Sequence, residues 1–124
     1  MIYDTTQEGL QKVLKWYMVE ALRYVVATPQ GVSSRDAWDH VSEIRTVSRA
    51  SIINGLNELV DWGVLTYEEI TGKGGHRRIY FTDLDEESFK KWIIRKLLED
   101  LYKLYPGSEM LQDINRNWLT VQTT

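Results

Sequence analysis

A helix with both of its ends marked in the sequence lies between Ser48 and Gly63, and it constrains the fold more than any other segment. Serine commonly caps a helix N-terminus with its hydroxyl, and glycine commonly follows the last helical turn. Between them apolar residues recur at the spacing of one helix face, at Ile52, Leu56, Leu59 and Val60. The segment predicts an amphipathic helix over residues 48–62, with Val64 contacting Leu59 across a Schellman-type end.

The hydrophobic period changes directly after this helix. Residues 65–70 and 77–82 are two β-branched and aromatic runs, and the connector between them, residues 71–76, contains three glycines. Such a pattern predicts a β-hairpin with a flexible tip.

Two helices are predicted before the marked helix. Apolar side chains over residues 7–27 form one helical stripe, which ends at Pro29-Gln30-Gly31. Ser33 or Ser34 then caps a short helix with a buried side of Ala37, Trp38 and Val41, and residues 42–47 form a turn leading to Ser48.

Two more helices are predicted after the hairpin. Residues 85–105 form a long helix that opens with acidic residues and closes at Pro106-Gly107, and residues 108–120 form a short final helix. We therefore expect a single domain with an N-terminal helix at 7–31, a helix-turn-helix with a wing at 32–82, and dimerisation helices at 83–124. The expected fold class is mainly α with a small β-hairpin (α+β), a winged helix-turn-helix with long flanking helices.

The sequence from Ser48 to Leu65 resembles the recognition-helix segment of winged-helix regulators of the MarR, GbsR and penicillinase-repressor kind. The segment from Gly72 to Phe81 is similar to their wing. The resemblance covers about residues 33–82 and implies a transcriptional regulator, with a small-molecule effector as one further implication.

The marked helix also has a polar face suited to DNA. Burial of the apolar stripe turns other side chains outward, and a DNA major groove admits such a helix. Because Arg pairs with guanine edges and Asn with adenine edges, Arg49 and Asn54 are the main candidates for base contacts. Ala50 and Asn57 are the remaining candidates for base contacts.

Phosphate contacts are expected from the turn, the helix start and the wing. The candidates are Arg45, Thr46, Ser48, Ser51, Lys73, His76, Arg77 and Arg78. Four of these are Lys or Arg, and Arg49 brings the number of cations to five; if all five met phosphates, the log–log salt slope would be about −4 to −5 per protomer. Glu68 and Glu69 in the first wing strand oppose phosphate binding, unless they pair with Arg77 or Arg78 across the strands.

The rest of the composition excludes several classes of protein. The 124 residues carry a net charge of −3, include no cysteine, and contain no apolar run long enough for a membrane helix. We find no catalytic, metal-binding or cofactor-binding motif, and we expect a cytoplasmic protein that is not an enzyme, has no cofactor and does not contact a membrane.

The long helix is apolar over much of its circumference, which predicts burial on more than one side. We expect a homodimer with a palindromic DNA site, and interface residues Leu14, Tyr17, Phe89, Trp92, Ile93, Leu97 and Leu101. Occupancy of a promoter would make it a repressor. The alternative, motivated by the acidic charge, is a winged-helix module that binds protein instead of DNA.

Overall fold

A computed structural model describes residues 3–72, 75–113 and 116 of the chain. The chain divides into two compact units, Met1–Glu86 and Glu87–Thr124. The division falls four residues beyond the boundary that the sequence predicts between the wing and the last helices.

The N-terminal segment is not the single helix predicted over residues 7–27. A 3-10 helix spans Gly9–Lys12, and the first α-helix, α1, spans Trp16–Val26. Lys15 between them is extended, with φ −64° and ψ 148°, and Gly9 has a left-handed φ of 61°. Leu10, Val13 and Leu14 are nevertheless buried. A 3-10 turn followed by an extended residue buries the same apolar side chains as a continuous helix, so their spacing did not reveal the break.

The second helix is preceded by a short strand that the sequence did not predict. Strand β1 spans Val32–Ser33, and helix α2 spans Ser34–Ile44. Ser33 is the N-cap, since its Oγ accepts a hydrogen bond from the Asp36 N–H at 3.1 Å. The helix continues to Ile44 and so includes the first three residues of the turn predicted over 42–47.

The marked helix has the predicted ends. Helix α3 spans Arg49–Asp61, and the Oγ of Ser48 accepts the Ser51 N–H at 3.1 Å. At the other end Gly63 has φ 80°, its N–H donates to the Val60 carbonyl, and the Val64 N–H donates to the Leu59 carbonyl, both at 2.9 Å. This pair of bonds defines a Schellman motif.

The wing is part of a three-stranded antiparallel sheet. Strand β2 spans Thr66–Gly72, strand β3 spans Gly75–Phe81, and the strand order is β1-β3-β2. Pairing continues to Gly72 opposite Gly75, so both strands run further toward the tip than the sequence predicts. The mainly α, α+β class with a winged-helix arrangement is confirmed.

The core of this unit lies where α3 packs on α1 and α2. Ile52, Leu56 and Leu59 on α3 are at most 1% exposed. Gly55 on the same face allows a close approach, because a Cβ added there would lie 3.0 Å from the Cγ of Met18 on α1. The absence of a side chain at this position sets how closely the marked helix can pack.

The second unit is helical. Helix α4 spans Glu86–Leu104, beginning with the last residue of the first unit, and residues 109–113 are helical as well. The predicted final helix over 108–120 is therefore seen in part, and its remainder falls mostly outside the described residues. Within the described ranges, no helix has the length and apolarity needed to cross a membrane.

Candidate nucleic-acid interface

The N-terminal half of α3 has one exposed face. Arg49, Ala50 and Asn54 are all exposed, as predicted for the face opposite the core. The turn before this helix is bonded to α2, because the indole N–H of Trp38 donates to the Val47 carbonyl at 2.9 Å. The position of the exposed face is thus fixed by the Ser48 cap, by the Trp38 hydrogen bond and by the packing of the buried face of α3.

The hydroxyl groups at the start of α3 bond to each other. Ser48 accepts the Ser51 N–H, and its own Oγ lies 2.8 Å from the Oγ of Ser51. Ser48 and Thr46 are exposed, whereas Ser51 is half-buried. The hydroxyl groups of all three lie near the start of α3, where a phosphate could accept a hydrogen bond from them.

A groove of about 440 Å³ runs between the wing and the two helix starts. We call it the wing groove. Its lining includes Arg35 and Asp36 from α2, Arg49 from α3, and His76 and Arg77 from β3. Three arginines and one aspartate give it a formal charge of +2 before any contribution from the histidine. A chain with net charge −3 therefore has a local cationic surface at the place where the wing meets α3.

Arg35 was missed in the sequence analysis, although a signal for it was present. It lies in the first turn of α2, directly after Ser34. The positive end of the helix dipole disfavours a cation at this position. Arg35 is nevertheless exposed there and lines the wing groove.

Asn57 faces the wing, which corrects the expectation that it turns outward. Its Oδ1 accepts hydrogen bonds from the Tyr80 hydroxyl at 2.7 Å and from an Arg78 N–H at 3.1 Å. The cause is the register of the sheet, which places Tyr80 and Arg78 on the same face of β3, toward α3. Asn57 therefore joins α3 to the wing. We call Asn57, Arg78 and Tyr80 the wing joint.

Arg78 is also held by residues of the neighbouring strand. Its guanidinium carbon lies 4.1 Å from the centroid of the Tyr67 ring, and its Nε lies 3.7 Å from a carboxylate oxygen of Glu69, the cross-strand partner. Pairing of Glu69 with Arg78 was one of the two alternatives that the sequence allowed. With these partners, Arg78 has less freedom to reach a phosphate than Arg77.

The remaining predicted phosphate residues differ in where they lie. Arg45 is exposed, but its guanidinium carbon lies 5.0 Å from the Trp16 ring centroid. Lys73 lies outside the described residues. His76 and Arg77 are exposed at the wing tip and line the groove.

The residues predicted for a dimer interface divide into two groups. Leu14, Phe89 and Ile93 are buried within the single chain, with exposures of 1%, 0% and 5%. These three have little surface left for a partner. Of the rest, Leu101 is exposed, and Tyr17, Trp92 and Leu97 are half-buried.

Comparison with known proteins yields a distant likeness. No protein-family model matches the chain, and no curated protein matches it. Among solved structures the chain is similar to one described as giving structural insights into the DNA recognition and protein interaction domains of HOP2. The two share 22% identity with a TM-score of 0.46, over 54% of this chain and 98% of that one. At this identity and TM-score the likeness assigns no function.

Proposed function

We propose that this protein binds double-stranded DNA as a homodimer and regulates transcription, acting as a repressor by occupying a promoter. It is a binding protein in this proposal and not an enzyme. The observation that carries the proposal is the wing groove, whose arginines come from α2, α3 and the wing and lie beside the exposed face of Arg49 and Asn54. A kinship with MarR-type regulators is part of the proposal and rests on the sequence resemblance.

The two surfaces have different roles in this proposal. Arg49 and Asn54 contact base edges in a major groove, where a good bidentate pair discriminates against a wrong base by about 1–3 kcal/mol. Arg35 and Arg77 contact phosphates, which contribute affinity without sequence preference. Arg78 is assigned to the wing joint and no longer to the phosphate contacts, and Arg35 is added to the phosphate contacts.

Dimerisation is proposed through the exposed apolar stripe of α4. Ile94, Leu101 and Leu104 are 42%, 44% and 79% exposed, and their spacing of seven and three residues puts them on one helix face. Exposed apolar stripes of this kind mark association surfaces. Phe89 and Ile93 are already buried, so the proposed interface lies instead on this neighbouring side of the helix.

The DNA proposal is tested by fluorescence anisotropy on a labelled duplex selected from a random pool. Arg77→Ala removes one phosphate contact from each protomer of the proposed dimer, so it is expected to lower the steepness of the log–log salt dependence by about 1.8, which is twice the value of one contact. Arg49→Ala is expected to reduce the preference for the selected duplex over a scrambled one. Lys91→Gln, an exposed lysine of α4, is the matched control and should change neither quantity.

Two results would contradict the proposal. One is no binding at low salt by a folded protein, and the other is binding with a salt slope that Arg35→Ala and Arg77→Ala both leave unchanged. For the dimer, Leu101→Lys should convert the species seen by sedimentation at micromolar concentration to a monomer. A wild-type monomer at that concentration would refute the dimer.

A protein-binding module is the second candidate. It is favoured by β2, whose seven residues are all exposed and include Tyr67 and Ile70 beside Glu68 and Glu69. Failure of DNA binding at every salt concentration, with the fold intact, would favour this candidate.

A small-molecule effector is also part of the proposal. A pocket with aromatic walls beside Trp16 and Tyr17 is its candidate site.

A further inference from the structure

Within the described residues, strand β2 has one edge that no other strand covers. In the order β1-β3-β2 it pairs with β3 on one side only, and all seven of its residues are exposed. Alternate residues of an edge strand direct their amide and carbonyl groups outward, where they have no partner strand. At about 3.4 Å per residue, this free edge offers roughly 24 Å of backbone to a further strand.

The side chains at the centre of β2 form a symmetrical pattern. Tyr67 and Ile70, which are 38% and 39% exposed, enclose the adjacent residues Glu68 and Glu69. Successive side chains of a strand point to opposite faces, so each face of the sheet receives one glutamate and one apolar side chain. Tyr67 and Glu69 share the face of Tyr80 and Arg78, toward α3, whereas Glu68 and Ile70 lie on the other face.

The strand that already pairs with β2 satisfies only one of the two glutamates. Arg78 of β3 lies directly opposite Glu69, and its Nε lies 3.7 Å from the Glu69 carboxylate. Glu68 lies opposite Ile79, and no cation among the described residues forms an ion pair with it. The side chain of Glu69 is itself 56% exposed, so its carboxylate can accept a further hydrogen bond from the free edge.

From these observations we infer that the free edge of β2 binds an extended segment of another protein, with two adjacent basic residues between apolar ones. The segment adds a strand to the sheet through main-chain hydrogen bonds. Its basic residues pair with Glu68 and Glu69, and its apolar residues contact Tyr67 and Ile70. Because the pattern is symmetrical, the same kind of segment fits in the antiparallel and in the parallel orientation. This inference rests on the protein-binding candidate and does not require that the chain bind DNA.

The charges of β2 disfavour the other occupants of a free edge. A second copy of β2, paired antiparallel about the centre of the pattern, would bring glutamates of the two copies opposite each other, and such pairs are destabilising. The phosphates of a nucleic acid would meet the same two carboxylates. A basic strand is the partner for which both carboxylates are favourable.

The inference is tested by amide NMR titration of the ¹⁵N-labelled full chain with an end-capped peptide, Thr-Val-Lys-Lys-Tyr-Thr, which we call the lysine peptide. Saturable shifts are expected at residues 66–72. A matched glutamine peptide, with glutamine in place of both lysines, should bind about 2- to 30-fold more weakly, the combined effect of two cross-strand charge pairs. This difference should diminish as salt is added, because the pairs are exposed.

Variants of the chain and of the peptide separate the two parts of the contact. Glu68→Gln should lower the preference for the lysine peptide over the glutamine peptide by about 1.4- to 5-fold, the effect of one charge pair. Glu99→Gln, which changes an exposed glutamate of α4, is the matched control and should leave the preference unchanged. A lysine peptide with both lysine amides N-methylated keeps its charges but cannot donate to β2, since one of two adjacent amides must face the strand. It should not bind.

Several results would overturn the inference. They are equal affinities for the lysine and glutamine peptides, undiminished binding of the N-methylated peptide, a preference that Glu68→Gln leaves unchanged, and shifts located away from β2. An absence of saturation in the folded wild-type protein would overturn it as well. The anisotropy assay decides DNA binding separately: a chain that binds a duplex but no lysine peptide refutes this inference alone, and a chain that binds the peptide but no duplex refutes the DNA proposal alone.

Discussion

Replacement of Asn57 by alanine tests the wing joint. The Oδ1 of Asn57 is the acceptor for the hydroxyl of Tyr80, a residue that is 2% exposed. Leaving such a buried hydroxyl without its acceptor costs about 1–3 kcal/mol. Arg78, whose side chain is 38% exposed, can exchange its lost bond for water and adds little. The better helix propensity of alanine returns about 0.5 kcal/mol. We expect Asn57→Ala to lower the free energy of unfolding by about 0.5–2.5 kcal/mol in total.

The assay is urea unfolding followed by far-UV circular dichroism, with a double-mutant cycle. Tyr80→Phe alone should cost about 1 kcal/mol, since it removes one hydrogen bond and leaves Asn57 paired with Arg78. The double variant should lose less than the sum of the two by about 0.5–1.5 kcal/mol, because no unpaired hydroxyl remains. Additive losses, or a loss below about 0.5 kcal/mol for Asn57→Ala, would show that the joint does not couple the wing to α3.

Three further predictions follow from the same unit and use the same unfolding measurement. Ser48→Ala should lower stability by about 1 kcal/mol through loss of the cap, while Thr46→Ala at the neighbouring exposed position should not; equal effects would contradict the cap. Gly63→Ala should cost about 1 kcal/mol through its left-handed backbone alone, because no atom lies within 4 Å of the added Cβ. Gly63→Asn should cost less than Gly63→Ala, and the reverse order would be inconsistent with the conformational cause. Burial raises the pKa of the Tyr80 hydroxyl, so the folded state holds this proton more tightly than the unfolded state. The resulting stability is present below about pH 10 and is lost as the pH rises through the raised pKa, a loss that Tyr80→Phe should reduce.

The elements that the sequence predicted well are those with local causes. Ser48 and Gly63 act through their own side chain and backbone, so the ends of α3 can be identified without knowledge of the core. The wing strands were found for a similar reason, because their residues favour extended backbone over the whole run.

The elements that were missed depend on contacts distant in the chain. Strand β1 is two residues long, too short for any alternating pattern, and exists because Val32 pairs with Tyr80 of β3. Asn57 was assigned to the outer face because helix periodicity does not show where a wing will pack. Arg35 became part of the candidate site only when the fold brought the start of α2 beside the wing tip.

Strand β2 lies at one edge of the sheet, and its whole length is exposed. An outer strand offers unpaired amide and carbonyl groups along which a second molecule could add another strand. Charged side chains on such a strand oppose that addition. Glu68 and Glu69, which weaken the wing as a phosphate surface, thereby protect it from self-association. Replacing both by neutral residues would remove this opposition to strand addition.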